Sequence, residues 1–149
     1  MIVRLVIPAL LLMFMGSLHA QNVFVKKGDK FMRRYNFKRA ADMYSKAADA
    51  DINNLEAREK LGNALIASAD YDSATAVYKS LADNSLSKAQ CLFTYAQLLR
   101  GQGKYTEADI AYRAFAVKAP DDPRAVEFRN FGNDIQPLLT DTKNYEFAT

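Results

Sequence analysis

Cysteine and histidine are almost missing from this chain of 149 residues: there is one of each, Cys91 and His19. A lone cysteine cannot make an intrachain disulfide, a zinc cluster or a redox pair, and Cys91 reads as a small half-buried filler on a helix. His19 lies in an apolar leader expected to be cut away, which leaves no imidazole for a Ser–His pair or a histidine metal site. Glycine is scarce as well. Gly101 and Gly103 flank a turn without the Lys-Ser or Lys-Thr pair that a phosphate-cradling loop needs. Asp70 with Asp72, and Asp121 with Asp122, fall in turns and helix starts, where stabilising a helix end outweighs acid–base chemistry. These absences argue against an enzyme, and no cofactor or metal is implied.

Long apolar runs are absent except at the start. Leu5–Met15 is apolar, Arg4 precedes it, and Gly16, Ser17 and Ala20 follow. Eleven residues fall short of the roughly 20 that span a bilayer, and Pro8 interrupts the start. A charged start, a short apolar centre and a small residue at the cut describe a secretory signal over 1–20. Residue 21 is Gln where a lipoprotein carries its lipidated cysteine, so no lipid anchor is expected there. The mature chain should be exported, run from Gln21 to Thr149 and have no transmembrane span.

A large charge of either sign is also lacking. The formal net charge is +3 and falls to about +2 without Arg4, too weak to name a partner class. Its distribution is uneven, however. Lys26, Lys27, Lys30, Arg33, Arg34, Lys38, Arg39 and Lys46 are opposed only by Asp29 and Asp42, a local net of +6. That stretch reads either as a solvated face or as a patch for an acidic partner, phospholipid headgroups or a glycan. Nucleic acid is not expected, because an exported chain rarely meets it and no aromatic stacking set is interleaved.

What the chain does have is a period. Gly28, Gly62 and Ala96 recur at a constant step of 34, and so do Ala40, Ala74 and Ala108. Two aromatic columns keep the same step: Phe37, Tyr71, Tyr105, and Tyr44, Tyr78, Tyr112. With Gln21, Leu55 and Ala89 as first positions, small residues fall at positions 8 and 20, where antiparallel helices can approach closely. Phe31, Leu65, Leu99 at position 11 and Ala47, Leu81, Phe115 at position 27 fill the space between helices. First helices are predicted near Val23–Arg34, Leu55–Ser68 and Lys88–Gly101, with partners near Phe37–Ala50, Tyr71–Ala82 and Tyr105–Lys118. Asn53 with Asn54, and Asn84 with Ser85, are placed to cap the helices that come after them.

A 34-residue step with small residues at fixed offsets resembles the tetratricopeptide repeat over residues 21 to about 122. The resemblance implies an all-α fold, a right-handed α-solenoid of three helix hairpins (21–54, 55–88, 89–122). The fit has gaps: Lys27 and Arg58 stand at usually apolar positions, and the closing proline occurs only as Pro120. After Pro120 the pattern stops. Asp121, Asp122 and Pro123 start a helix, and Ala125, Phe128 and Phe131 could lay one face on the last repeat, so 123–143 is expected to cap the stack. A second short helix is expected over 134–142, and 144–149 reads as an extended, strand-like tail.

The leader, the repeats, the Asp-Asp-Pro-Arg turn into a Phe-rich helix and the Tyr-containing tail together resemble a larger family. They are similar to the N-terminal portion of envelope proteins that join such repeats to a WD40-like β-propeller and an OmpA-like peptidoglycan-binding domain, linked to type IX secretion. That resemblance implies an exported interaction scaffold in the Gram-negative periplasm, associated with the outer membrane, whose partner is another envelope protein or a peptide segment. The alternative is a structural adaptor that orients a downstream domain.

In the repeat family, positions 2, 5, 9 and 12 line a concave groove. Here these give, in turn, Asn22, Glu56 and Gln90; Val25, Glu59 and Phe93; Asp29, Asn63 and Gln97; and Met32, Ile66 and Arg100. Relatives that grip a chaperone's C-terminal carboxylate use Lys and Asn at several of these places. Only Asn63 matches that set, and Asp29 would repel a carboxylate, so that function is rejected. The groove would instead suit a neutral or mildly basic segment anchored near Phe93 and Ile66. The competing reading leaves these residues as solvated surface and puts the interface on the convex side.

Overall fold

The computed structural model describes residues 22–129, and all regular structure among them is α-helical. The helices are α1 (22–32), α2 (Phe37–Ala50), α3 (Leu55–Ala67), α4 (Tyr71–Ala82), α5 (Ala89–Gly101), α6 (Tyr105–Lys118) and α7 (123–129). They fall into two compact units divided between Ser87 and Lys88, α1–α4 in one and α5–α7 in the other. The expected leader, the helix over 134–142 and the tail over 144–149 lie outside the described residues.

The small columns sit where helices touch. Ala40, Ala74 and Ala108 are buried, as are Tyr44, Tyr78 and Tyr112. A Cβ added to Gly28 would lie 2.5 Å from the Tyr44 ring, and one on Gly62 would lie 2.6 Å from the Tyr78 ring. Position 8 is therefore small because the tyrosine of position 24 lies across it, so the two columns are one contact seen from both sides. In the last repeat Ala96 replaces the glycine and packs in the same cluster as Tyr112. The other aromatic column behaves differently: Tyr71 and Tyr105 are 52% and 70% exposed at the starts of α4 and α6.

Each first helix ends in the same way. The amides of Asn36, Asp70 and Lys104 bond back to the carbonyls of Phe31, Leu65 and Leu99 at 3.0, 2.9 and 3.0 Å. The residue just before each is left-handed: Tyr35 (φ 56°), Ala69 (φ 61°) and Gly103 (φ 76°). This is the closure that satisfies a helix's last carbonyls, and it usually takes glycine. Only the third copy does. A Cβ on Gly103 would meet nothing within 4 Å, nor would one on Gly101. Gly103→Ala should therefore cost about 1 kcal/mol through the backbone alone, whereas Gly101→Ala, at helical φ, should gain about 0.5 kcal/mol. Denaturant midpoints of the two variants that move together would refute the left-handed assignment.

Asn36, Asn54 and Asp70 cap α2, α3 and α4 by accepting from the amides of Arg39, Ala57 and Ser73. Asn84 does not cap α5 as expected. Its side chain takes the Leu86 amide at 2.9 Å within the preceding turn, and the cap position falls on Lys88, which makes no side-chain cap bond. Helix α5 begins too far along for a residue at 84 or 85 to reach its first amides.

The repeat also continues past Pro120. Ala57, Cys91 and Ala125 share the same step and are all buried. Helix α7 takes the register of a fourth first helix, which the lack of a small residue at the glycine column (Asn130) conceals in the sequence.

Candidate functional site

In the first unit, the candidate groove residues are held by a polar bridge. The Tyr44 hydroxyl donates to Asp29 Oδ1 at 2.7 Å, and Lys60 Nζ donates to the same oxygen at 2.8 Å. Lys60 Nζ also lies 5.9 Å from the Tyr44 ring centroid and 3.6 Å from Glu56. Burial would raise the Asp29 pKa, but the bonds from Lys60 and Tyr44 outweigh it and hold the carboxyl below its usual value. Burial, and then the Asp29 carboxylate, push the Tyr44 phenol well above its ordinary range. Asp29 and Lys60 are each about a third exposed, so the ion pair itself contributes on the order of 1 kcal/mol or less. The next repeat reproduces the hydroxyl bond at the equivalent positions, with Tyr78 donating to Asn63 Oδ1 at 2.7 Å.

Of the first unit's predicted groove residues, Asp29 is thus a joint between α1, α2 and α3. Val25 packs on the core alanines Ala40, Ala41, Ala47 and Ala48. Asn63 is exposed on α3 with Glu59 and Ile66 half-buried. The predicted basic residues Lys26, Lys30, Arg33, Arg34, Lys38 and Arg39 are all exposed on α1, the α1–α2 turn and the start of α2.

In the second unit, Phe93 is half-buried and its ring is engaged by neighbouring side chains. Its ring packs edge-on against Tyr112 (5.5 Å), Phe115 (5.1 Å) and Phe128 (6.1 Å), and the Arg124 guanidinium lies 4.3 Å from its centroid. The visible repeat ends before α7, so the sequence alone does not place Arg124 and Phe128 beside Phe93. Arg124 also bonds to Asp122 through Nε (2.9 Å) and Nη2 (2.7 Å), and to Gln90 Oε1 at 3.0 Å. The ring of Phe128 stacks on Tyr112 at 4.1 Å, 6° from parallel. It holds the repeat position that Lys60 holds over Tyr44, so one joint is polar and the other aromatic.

The Arg124 side-chain bonds pull the Asp122 carboxyl down to about 2. A carboxyl lowered on folding stabilises above its unfolded pKa near 4 and loses that contribution as pH falls through the folded value. Acidification from about pH 4 to pH 2 should therefore loosen α7. The amide shifts of Ala125 and Phe128 should move through that window, and Asp122→Asn should flatten the response; an unaltered profile in the variant would remove Asp122 as the cause.

Gln97 and Arg100 stand exposed on α5. Arg100 borders an open cavity of about 270 Å³ with Tyr105, Ala108, Asp109, Tyr112, Glu127 and Phe128. Burial raises the Tyr112 phenol's pKa; Arg100 opposes that and Glu127 adds to it. Asp109 is held by Arg113 at 2.8 Å, which leaves Arg100 and Glu127 as the charged rim of an aromatic floor. Sequence reasoning finds Arg100 but not this cavity, since Glu127 and Phe128 join it only through α7. Among the described residues, no group of His, Cys, Asp or Glu is placed to hold a metal ion. No helix among them is long and apolar enough to cross a membrane.

No protein-family model matches the chain, and no curated protein does. Solved structures do. The first tetratricopeptide domain of Spaghetti (RPAP3), bound to an HSP90 peptide, is 19% identical with a TM-score of 0.65, over 79% of this chain and 94% of that one. MamA has the same identity and TM-score over 79% of this chain and 69% of its own. The Yersinia enterocolitica type III secretion translocator chaperone SycD is 16% identical with a TM-score of 0.62, over 87% of this chain and 96% of that one. At such identities the likeness establishes architecture: this chain has the all-α solenoid fold of tetratricopeptide-repeat domains.

Proposed function

We propose that this chain is a non-catalytic, exported scaffold that binds a segment of another protein within a Gram-negative envelope complex, in the setting of outer-membrane secretion machinery. The observation that carries the binding role is the cavity beside Arg100. At about 270 Å³ it is smaller than most small-molecule pockets and suits one or two side chains of a peptide. Its aromatic floor favours an apolar or aromatic side chain, and Arg100 and Glu127 can pair with polar groups on either flank. The exposed Gln97 on α5 adds a polar contact within the same unit. A carboxylate clamp is not part of the proposal, because Asp29 is negative and engaged by Lys60 and Tyr44. Export is supported by the apolar run that ends at Ala20.

The test places a photo-crosslinking residue at Arg100 or Tyr105 and, for comparison, at Val117, which is exposed on α6. The proposal expects one discrete adduct in the envelope fraction from positions 100 and 105, lost when Gln97 and Arg100 are both replaced by alanine. Adducts only from position 117 would move the interface to the other face. Adducts confined to the cytoplasmic fraction would remove the envelope setting. The adaptor reading draws on α7, which extends the repeat register beyond the third hairpin; on that reading deletion of 144–149, rather than the α5 variants, abolishes assembly.

A further inference from the structure

We propose that the α1–α2 end of the first unit is a docking surface for an anionic phospholipid membrane. Lys26, Lys27, Lys30, Arg33, Arg34, Lys38 and Lys46 are exposed there, and among the described residues none of them forms an ion pair. The other charged groups nearby are already committed or outnumbered. Asp29 is engaged by Lys60 and Tyr44 and also attracts Arg33, Arg39 lies 5.8 Å from the Phe31 centroid, and the exposed Asp42 and Asp49 on α2 are outnumbered by the cations around them. Like charges in such excess at one end cost folding energy through mutual repulsion and return nothing to the core. Such a cluster answers to an external negative surface.

Two features favour a lipid surface over an acidic polypeptide. The cations are spread along α1, the α1–α2 turn and α2, a dispersed arrangement that suits a broad charged surface better than a single anchoring side chain. At their centre stands Tyr35, 82% exposed, flanked by Arg33, Arg34, Lys38 and Arg39. Its left-handed backbone (φ 56°) fixes it in the turn, and its ring meets Phe37 edge-on at 6.1 Å. An amphipathic ring among lysines and arginines is the composition that settles at headgroup level. Juxtamembrane cations of this number bind anionic leaflets additively.

The test uses the full chain and vesicles of neutral phosphatidylcholine, alone or with a third of phosphatidylglycerol. Neutral vesicles report whatever the apolar leader contributes, so the difference between the two reports the patch. Wild type should prefer the anionic vesicles at least tenfold, and the preference should collapse as salt is raised. Neutralising Lys30, Arg34 and Lys38 to glutamine should weaken anionic binding about 100-fold and leave neutral binding unchanged. Tyr35→Gly, which suits the left-handed turn, should weaken it about threefold while the helical signal persists. Lys79→Gln with Lys104→Gln, exposed cations elsewhere, should change it little. Equal binding to both vesicles, or an equal loss in the Lys79/Lys104 variant, overturns the assignment. Binding to polyglutamate that matches the anionic vesicles and is lost in the same triple variant also overturns it, in favour of an acidic protein. Crosslinking at Arg100 is independent of this surface, so either proposal can fail without the other.

Discussion

Tyr44→Ala should lower stability by about 4 kcal/mol, the cost of removing a large buried side chain with little room to collapse. The ring lies against the bare Cα of Gly28 and fills the cluster of Ala40, Ala41 and Ala64. Its loss opens the contact that holds α1 to α2. It also strips Asp29 of one of its two donors. Tyr44→Phe separates these effects: it keeps the ring, deletes one bond to a partly exposed carboxylate, and should cost about 1–2 kcal/mol. In a repeat protein the damage is local before it is global. Hydrogen exchange should therefore show α1 and α2 losing protection while α5 and α6 keep theirs. Uniform loss across both units, or a Phe variant as damaged as the Ala variant, would contradict this account of Tyr44.

At the other end, Phe115→Ala should cost a similar amount, about 3–5 kcal/mol, with the opposite spatial pattern. Phe115 is buried with Ala116 and Ala125, meets Phe93 and Phe128 edge-on, and lies 5.2 Å from the Arg124 guanidinium. Without it, α7 loses its seat, so amides of 123–129 and α6 should exchange fast while those of α1 and α2 stay protected. Phe115→Leu, which keeps most of the volume, should cost less than about 1.5 kcal/mol. A Phe115→Ala protein with α7 amides as protected as wild type would show that the aromatic cluster does not hold that helix. The same logic warns against Phe93→Ala as a probe of partner binding. Any loss of binding would follow from the collapse of the cavity floor rather than from a missing contact.

The helices themselves were legible because a 34-residue step multiplies a weak signal by its copies. Five of the six predicted helices start and end within one residue of where they lie, and only α1 stops two residues early, at residue 32. Asn54 and Asp70 were legible through cap chemistry. The left-handed position was not: Tyr35 and Ala69 carry no sign of it, and only Gly103 does. The joints between repeats were hidden for a different reason. Asp29 and Lys60 are 31 residues apart and meet only once two hairpins are stacked. The match of positions 9, 24 and 6 in the repeat could have located that meeting. Phe128 over Tyr112 obeys the same match, but the visible period stops at Pro120, so both the covering of Phe93 and the cavity beside Arg100 stayed out of sight.

The two joints answer to different solvents. A carboxylate bridge is weakened by dissolved sodium chloride, which screens it, whereas sulfate-type salts tighten a ring-on-ring seam by being excluded from the protein surface. Because Asp29–Lys60 joins α1 to α3 in one unit and Tyr112–Phe128 joins α6 to α7 in the other, the medium decides which unit loosens first. Brine should fray the amino-terminal rods first, and an additive that solvates hydrocarbon should release the carboxyl-terminal rod instead.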